Sequence, residues 1–305
     1  MLVPMGALLK PARANGYAVG AFDVNNVELG IGVIEAAIER NSPVILAIPQ
    51  WGPNGCMSLE TLFSTLAAIA KTAPVPVAIN LDHGSSLEAV IRAIKSGATS
   101  VMLDASTLTH EQNIALTKQA VEIGHWAGVT VEGEIGHVGQ GSDYGKIDTD
   151  LAKLFTQPED AIEFVEKTGV DALAIAVGTA HGLYAGTPKI EFELLKRIAA
   201  AVEVPLVLHG GSSSGDANLA KAATLGVAKI NIYTDMAVAA RDRVAELLLK
   251  EPKKTPYMKL LLEGKNAFRD IAAHYMDVFG STGKLEGAKF GLPVVSASDK
   301  TASDA

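Results

Sequence analysis

The sequence is poor in cysteine, in aromatic residues and in long apolar runs. Its 305 residues include a single cysteine, Cys56, which excludes a disulfide within the chain. Aromatic residues make up only 5%, while aliphatic residues abound, a composition typical of buried parallel strands covered by helices. No apolar run approaches the roughly 20 residues that span a bilayer, and the N-terminus lacks the pattern of a signal peptide. We therefore expect a cytoplasmic protein without a signal peptide.

Positive charge is also scarce. The chain has 26 Lys and Arg against 34 Asp and Glu, which gives a formal net charge of −8. This balance argues against nucleic acid or an anionic membrane as a partner. It does not exclude a small anionic substrate, because a pocket can be locally positive.

Eight short β-rich runs alternate with amphipathic helical patterns along the chain. The runs are 18–24, 43–49, 76–82, 100–105, 130–135, 172–178, 205–210 and 228–234. Pro or Gly stands at most junctions between a helical pattern and the next run. Eight such units predict a single α/β domain, a (β/α)8 TIM barrel over residues 1–290. A two-domain, doubly wound fold is the alternative, disfavoured because no linker divides the chain.

Four segments lie outside this repeat. Residues 5–15 are predicted to form a short helix that plugs the bottom of the barrel. The polar, glycine-rich stretch 136–156 is a long loop of the kind that is usually functional. Residues 235–278 form an extended C-terminal helical region, and the tail 291–305 is expected to be flexible.

Three of the seven histidines follow apolar strands. Chemistry in a TIM barrel occurs at the C-terminal ends of the strands, and His83, His181 and His209 lie there after strands 3, 6 and 7. One such histidine alone is most simply a residue that shapes a turn, but three on one rim indicate a metal site. Three neutral imidazoles suit Zn2+ with an open fourth position. Cobalt, manganese and iron also suit these ligands.

Acidic residues alternate with these histidines. Asp82 is either a proton-transfer group beside the metal-bound substrate or an acceptor for a ligand N–H. Asp104 and Glu134 have three possible roles: they orient ligands, they hold a second cation, or they only balance charge on the rim by hydrogen bonding. Glu132 lies on the same strand face as Glu134.

The stretch 206–215, "LVLHGGSSSG", combines one of these histidines with a glycine-serine loop. TIM barrels often bind phosphate after strands 7 and 8, at a helix N-terminus. Gly210 and Gly211 expose backbone N–H groups, and Ser212 and Thr234 add hydroxyl donors. Gly182, after strand 6, is placed to contribute in the same way. Such a loop alone is usually only a turn, but here it adjoins a candidate metal ligand.

Six motifs in order resemble one enzyme family. They are "LDHGSS", "VMLDAS", "VEGEIG", "VGTAHGLY", "LHGGSS" and "KINIYTD". Together they resemble the class II, metal-dependent fructose-bisphosphate and tagatose-bisphosphate aldolases, from about residue 5 to residue 284. The resemblance implies reversible retro-aldol cleavage of a phosphorylated ketose to dihydroxyacetone phosphate and an aldehyde.

The resemblance also assigns roles to residues. It implies that His83, His181 and His209 bind one catalytic Zn2+ per subunit, and that Asp82 exchanges the proton of the C4 hydroxyl. The residues implied in binding the C1 phosphate are Gly182, Gly210, Ser212 and Thr234, with Asn231 at the dihydroxyacetone part.

The resemblance to this family implies further features. Asp104 and Glu134 match an alternative metal site, and Na+ is often found near the phosphate loop. The family generally needs an acid that protonates the enediolate, for which Asp143, Tyr144 and Glu134 are candidates here. Members are usually dimeric or tetrameric, so we expect a homodimer or homotetramer.

Three departures from the family pattern bear on the substrate. Tyr233 stands where the fructose-bisphosphate enzymes often have Asp, and Ala185 where many members carry Lys. Tyr257 or a neighbour stands where many members have an Arg that binds the far phosphate. We therefore expect Tyr233 to affect specificity, and a ketose 1-phosphate or another substrate without a phosphate at its far end.

Other functions stay open at this point. One is a fructose- or tagatose-1,6-bisphosphate aldolase proper. Another is a non-catalytic partner subunit of an aldolase. A third is a zinc hydrolase or isomerase on the same barrel, because a fold does not fix a function.

Overall fold

The eight strands form one closed sheet in the computed structural model, which describes residues 1–53, 55–136, 138–139, 155–182, 184, 188–250, 252 and 254–285. The strands are parallel, pair in chain order and close where the last meets the first. They are β1 (Val19–Asp23), β2 (Val44–Pro49), β3 (Val77–Gly84), β4 (Ser100–Leu103), β5 (Thr130–Ile135), β6 (Ala172–Ile175), β7 (Leu206–Leu208) and β8 (Val227–Ile232). This confirms the predicted TIM barrel and excludes the doubly wound alternative.

Helices alternate with these strands and cover the barrel. Those within the described residues are α1 (Gly6–Ala14), α2 (Val27–Arg40), α3 (Leu59–Thr72), α4 (Leu87–Lys95), α5 (His110–Trp126), α6 (Pro158–Thr168), α7 (Phe192–Ala201), α8 (Asp216–Thr224), α9 (Thr234–Lys250) and α10 (Tyr257–Val278). None of them is both long and apolar enough to cross a membrane.

Side chains alternate between the two faces of each strand, so the buried residues form two cores, one inside the barrel and one between the barrel and its helices. In β2, Ile45 and Ala47 face the barrel interior, whereas Leu46 and Ile48 pack beneath the surrounding helices. The interior cluster also contains Leu8 and other buried residues of α1. The predicted N-terminal helix therefore plugs the barrel.

The structure corrects two boundaries. β8 ends at Ile232 and α9 begins at Thr234, so Thr234 is a helical residue and not part of the strand. β6 ends at Ile175 rather than at 178. The predicted C-terminal helical region consists of α9 and α10, and α10 packs against α2 and α9. Most of the predicted loop 136–156 and all of the predicted tail 291–305 lie outside the described residues.

Two helical glycines allow a test of the packing between helices and barrel. A Cβ at Gly124 in α5 would lie 2.3 Å from Cγ2 of buried Val131 in β5, whereas a Cβ at Gly264 in α10 would meet no atom within 4 Å. We expect Gly124→Ala to lower the free energy of unfolding by about 1–3 kcal/mol through overpacking. Gly264→Ala should raise it by about 0.5–1 kcal/mol through its better helix propensity. Denaturant unfolding of both variants measures this, and a stabilised Gly124→Ala would contradict the packing.

Candidate active site

An extra residue near the end of β3 brings neighbouring Asp82 and His83 to the same cavity. Leu81 pairs with Val101 but Gly84 pairs with Leu103, so β3 bulges against β4. Within the bulge His83 has a φ of +49°, in the left-handed region that non-glycine residues rarely adopt. In a regular strand these two side chains would point to opposite faces. The bulge therefore places a carboxylate beside a candidate metal ligand.

The three predicted histidines converge on one point. Their ring centroids lie 4.7–5.9 Å apart, and one nitrogen from each ring lies within 4.8 Å of the other two. Nε2 of His181 and Nδ1 of His209 are buried and have no hydrogen-bond partner. A buried polar atom without a partner is costly, and convergent unpaired imidazole nitrogens are the donor set of a Zn2+ site.

The other nitrogen of each ring is held by an acceptor. Nδ1 of His83 donates to Oδ2 of Asp104 over 2.8 Å. Nε2 of His209 donates to Oε1 of Glu132 over 2.9 Å. His181 forms its hydrogen bond with the backbone of Val138. These bonds fix the tautomer and orientation of each ring, as in known metal sites.

The carboxylate behind His209 belongs to a buried ion pair. Nζ of Lys229 in β8 donates to both oxygens of Glu132 in β5, at 3.0 and 2.7 Å, and neither side chain is exposed. The positive charge keeps Glu132 from being an isolated buried anion. The ion pair of Glu132 and Lys229 thus lies between β5 and β8 and holds the ring of His209, a candidate metal ligand.

Carboxyl groups around His83 set its protonation when no metal is bound. Burial alone would lower its pKa, but the charges of Asp82, Asp104 and Glu134 outweigh burial and raise it to about 10. Burial and the positive charge at His83 instead lower the pKa of His181 to about 4. A divalent cation among the three rings would replace this proton as the positive charge.

Glu134 belongs to a second group suited to a cation. One atom each from His83, Asp104 and Glu134 lie within 4.8 Å of one another, in line with the alternative site that the sequence suggests. Oε2 of Glu134 is buried without a hydrogen-bond partner. Burial and the charge of Asp104 raise the pKa of Glu134 to about 8, so this carboxyl holds a proton at neutral pH when no metal is bound.

Beside His209, the chain passes into the predicted phosphate loop. Gly210 has a φ of +67°, and a Cβ there would lie 2.3 Å from the carbonyl oxygen of Ala180. A Cβ at Gly211 would lie 2.6 Å from Ile230. Both positions therefore require glycine. The predicted exposure of the Gly211 N–H is wrong, because this group donates to the carbonyl oxygen of Asn231 over 3.1 Å.

This loop is fixed to the first turn of α9. Oγ of Ser212 accepts hydrogen bonds from the backbone N–H groups of Tyr233 and Asp235, at 3.2 and 3.4 Å. The carboxylate of Asp235 accepts from N and Oγ of Ser213 and from the Tyr275 hydroxyl. The glycine loop and a helix N-terminus, with its positive dipole end, thus lie side by side.

All the predicted site residues except Gly211 line one cavity of about 560 Å3. They are Asp82, His83, Asp104, Glu134, His181, Gly182, His209, Gly210, Ser212, Asn231, Tyr233 and Thr234. Asn231 reaches into the site and donates to Oδ1 of Asp82 over 3.0 Å. Tyr257 is not among the described residues that line the cavity; it begins α10 and is 69% exposed. Ala185, Asp143 and Tyr144 lie outside the described residues.

Several residues of the site are absent from the sequence-based prediction. Lys229 is one: a charged residue within an apolar strand is itself a signal, because lysine is rarely fully buried without a partner. Asp23 and Trp51 also line the cavity, at the ends of β1 and β2. Asp23 is the last residue of β1, so its position at a strand end is the sequence signal that identifies it.

The hydrogen bond between His209 and Glu132 predicts that a substitution at Glu132 weakens metal binding. Glu132→Gln keeps the shape of the side chain but weakens the hydrogen bond to Nε2 and removes the charge facing Lys229. We expect about 10- to 100-fold weaker Zn2+ binding, by analogy with other residues that orient metal ligands. Chelator competition measures the dissociation constant, with thermal unfolding as a check that the variant folds. Glu246→Gln, on the exposed face of α9, is the control, and an unchanged affinity in Glu132→Gln would refute the role.

Comparisons with known proteins agree with this geometry. The family model described as "Fructose-bisphosphate aldolase class-II" matches residues 3–284. A fructose-bisphosphate aldolase of Thermus caldophilus is 41% identical over 93% of this chain and 100% of its own length. YdjI of Escherichia coli K12 is 43% identical over 88% of this chain and 94% of its own length.

The fold comparison gives the same family. The crystal structure described as the YdjI aldolase superimposes with a TM-score of 0.82 at 39% identity, covering 93% of this chain and 100% of the other. A fructose-bisphosphate aldolase of Campylobacter jejuni does so with a TM-score of 0.78 at 25% identity, covering 93% and 97%. The chain therefore belongs to the class II fructose-bisphosphate aldolase family, whose members are lyases.

Proposed function

We propose that this class II aldolase uses Zn2+ to cleave a ketose 1-phosphate into dihydroxyacetone phosphate and an uncharged aldehyde. The observation that carries the proposal is that the candidate metal position and the candidate phosphate position meet at the end of one strand, β7. His209 turns a free nitrogen to the metal position, and the next residue, Gly210, begins the loop at the N-terminus of α9. The C2 carbonyl of a ketose 1-phosphate is one carbon away from the phosphate ester. The metal position and the phosphate position must therefore be neighbours.

The donor set supports zinc. Three imidazole nitrogens with fixed tautomers leave a fourth position for substrate. A divalent ion held there supplies a Lewis acid for the C2 carbonyl oxygen of the ketose. Zinc over other divalent ions, and Na+ near the phosphate loop, are parts of this proposal.

Asp82 is placed to act as the base. Asp104 already accepts the hydrogen bond from Nδ1 of His83, while Oδ2 of Asp82 lies 3.8 Å from Nε2 on the other side of the ring. Burial opposes ionisation of Asp82, but without bound metal the neighbouring positive charges, at His83 first and also at Lys229, together outweigh burial and lower its pKa. The ionised carboxylate of Asp82 accepts the proton of the C4 hydroxyl group. The C3–C4 bond then breaks, and the electron pair of that bond moves toward C2.

An acid must then return a proton to C3 of the dihydroxyacetone part. Among the described residues Glu134 fits, because it is buried, unpaired at Oε2, lines the cavity and has a raised pKa. The other two candidates, Asp143 and Tyr144, lie outside the described residues. We therefore propose Glu134 for this step.

The charges of the cavity support an unphosphorylated far end. Among the described residues that line it there is no Lys or Arg, whereas Asp23, Asp82, Asp104 and Glu134 are all present. The C1 phosphate would lie beside the glycine loop at the N-terminus of α9, where the helix dipole favours an anion. A second phosphate would find no cation among these residues, and it would be repelled by Asp82 and Asp104, whose pKa values are lowered by neighbouring positive charge and hydrogen bonds.

A fructose-1,6-bisphosphate aldolase is the second candidate. The family description and the names of the Thermus caldophilus and Campylobacter jejuni relatives favour it. Ranking it second rests on the charges of the cavity and on Tyr233.

Assembly and location stay predictions. Leu249, Tyr257 and Met258 are well exposed on or beside α9 and α10, which favours a homo-oligomer built on this face. A cytoplasmic location follows from the sequence composition.

A substrate panel tests the proposed specificity. We expect chelator-sensitive release of dihydroxyacetone phosphate, with kcat/KM at least about tenfold higher for a ketose 1-phosphate than for either 1,6-bisphosphate, since like charges repel the second phosphate. A coupled assay on fructose and tagatose 1-phosphates and 1,6-bisphosphates measures this, with zinc re-addition after chelation as the control. Best turnover on fructose 1,6-bisphosphate would make the second candidate correct.

Asp82→Asn separates the two roles that the sequence leaves open for Asp82. The amide keeps the shape of the side chain but cannot accept the hydroxyl proton, so kcat should fall by about 100-fold or more. Zinc affinity, from chelator competition, should change little because Asp104 still orients His83. Weaker zinc binding with preserved kcat in zinc-saturated enzyme would mean that Asp82 serves the metal instead.

A further inference from the structure

Asp23 is a buried carboxyl group that the steps above do not use. It is the last residue of β1, is only 8% exposed and lines the cavity, yet its Oδ1 has no hydrogen-bond partner. An unpaired buried polar atom is destabilising, so a bound partner is the simplest reason to keep it.

Two aromatic residues flank this carboxyl. In the barrel β1 lies between β8 and β2. Tyr233 comes directly after β8 and Trp51 two residues after β2, and their rings meet edge to face with centroids 5.7 Å apart. Nδ2 of Asn25 donates to the Tyr233 hydroxyl over 2.9 Å, which holds the ring in place. These residues, Asp23, Trp51 and Tyr233, are here called the β1 subsite.

Asp23 and Trp51 lie on one side of β8 and the phosphate loop lies on the other, while Tyr233 follows β8 itself. The loop follows β7, the other neighbour of β8 in the barrel. Asn231 and Asp82, joined by a hydrogen bond, lie in the same cavity. A ketose anchored by its phosphate after β7, with its carbonyl at the histidines, can extend its released half toward β1.

The chemistry of the β1 subsite fits a neutral polyol. A carboxyl oxygen accepts a hydrogen bond from a hydroxyl group. Aromatic rings offer apolar area to a carbon chain, and the Tyr233 hydroxyl adds a polar edge. No described residue of the cavity supplies a cation for a phosphate or carboxylate.

We infer that Asp23 binds a hydroxyl group of the aldehyde half of the substrate, while Trp51 and Tyr233 pack against its carbon chain. The substrate class is then a ketose 1-phosphate whose released aldehyde is uncharged and hydroxylated. This inference rests on the proposed aldolase function. It also makes Asp23 a specificity residue rather than a partner of Asp82 in proton transfer.

Aldol synthesis by the zinc-loaded enzyme tests this directly. Dihydroxyacetone phosphate is held at saturation, and kcat/KM is measured for glyceraldehyde, propionaldehyde and glyceraldehyde 3-phosphate. The wild type should prefer glyceraldehyde over both others. Burial and the charge of Asp82 raise the pKa of Asp23, so the hydrogen bond is one to a neutral carboxyl group. Asp23→Ala should therefore lose about 3- to 10-fold on glyceraldehyde and less than about twofold on propionaldehyde. Asp23→Asn, which keeps an acceptor oxygen, should lose less.

Each alternative outcome has a separate meaning. Equal losses on glyceraldehyde and propionaldehyde, in Asp23→Asn as well if Asp23→Ala does not fold, overturn the inference, because they place Asp23 in the proton step. A wild-type preference for glyceraldehyde 3-phosphate overturns the uncharged aldehyde. Absence of carbon–carbon bond formation with every aldehyde overturns the proposed function, and the inference with it. Asp242→Ala, exposed on α9, is the matched control and should behave as the wild type.

Discussion

The proposed metal site depends on hydrogen bonds to those imidazole nitrogens that point away from the common centre of the three rings. Asp104, the Val138 backbone and Glu132 each hold one ring, so His83, His181 and His209 turn their remaining nitrogens toward one point. Without these acceptors each ring could flip or change its tautomer, and the three nitrogens would not converge. The support for His209 extends through Glu132 to Lys229, so the catalytic end of the barrel is tied to its interior.

The closed barrel turns these local contacts into one site. Because the strands are parallel, residues distant in sequence, such as Asp82 and Asn231, meet at the same rim. The bulge in β3 adds Asp82 next to His83, and the glycine loop after β7 sets the phosphate position beside His209. In the proposed function, the substrate would be held at one end by the loop after β7, at its carbonyl by the metal and at its far end by side chains at the ends of β1, β2 and β8.

Much of this could be predicted from the sequence, because strand periodicity and Pro and Gly junctions determine the barrel. The rule of strand ends also finds the histidines, Asp82 and the phosphate loop. The bulge at His83 could not be predicted, since its left-handed backbone depends on pairing with β4. Lys229 is visible as a lysine within an apolar strand, but its partner Glu132 lies across the barrel and appears only when the strands are placed. The same holds for Asp23, whose missing partner is a property of the folded cavity.

The most direct test of this account is anomalous X-ray diffraction at the zinc edge from zinc-soaked crystals. The account predicts one strong peak bonded to Nε2 of His83, Nε2 of His181 and Nδ1 of His209, with Asp104 and Glu132 still hydrogen-bonded behind two of the rings. A peak held only by His83, Asp104 and Glu134, or zinc on the opposite nitrogen of His209, would contradict it.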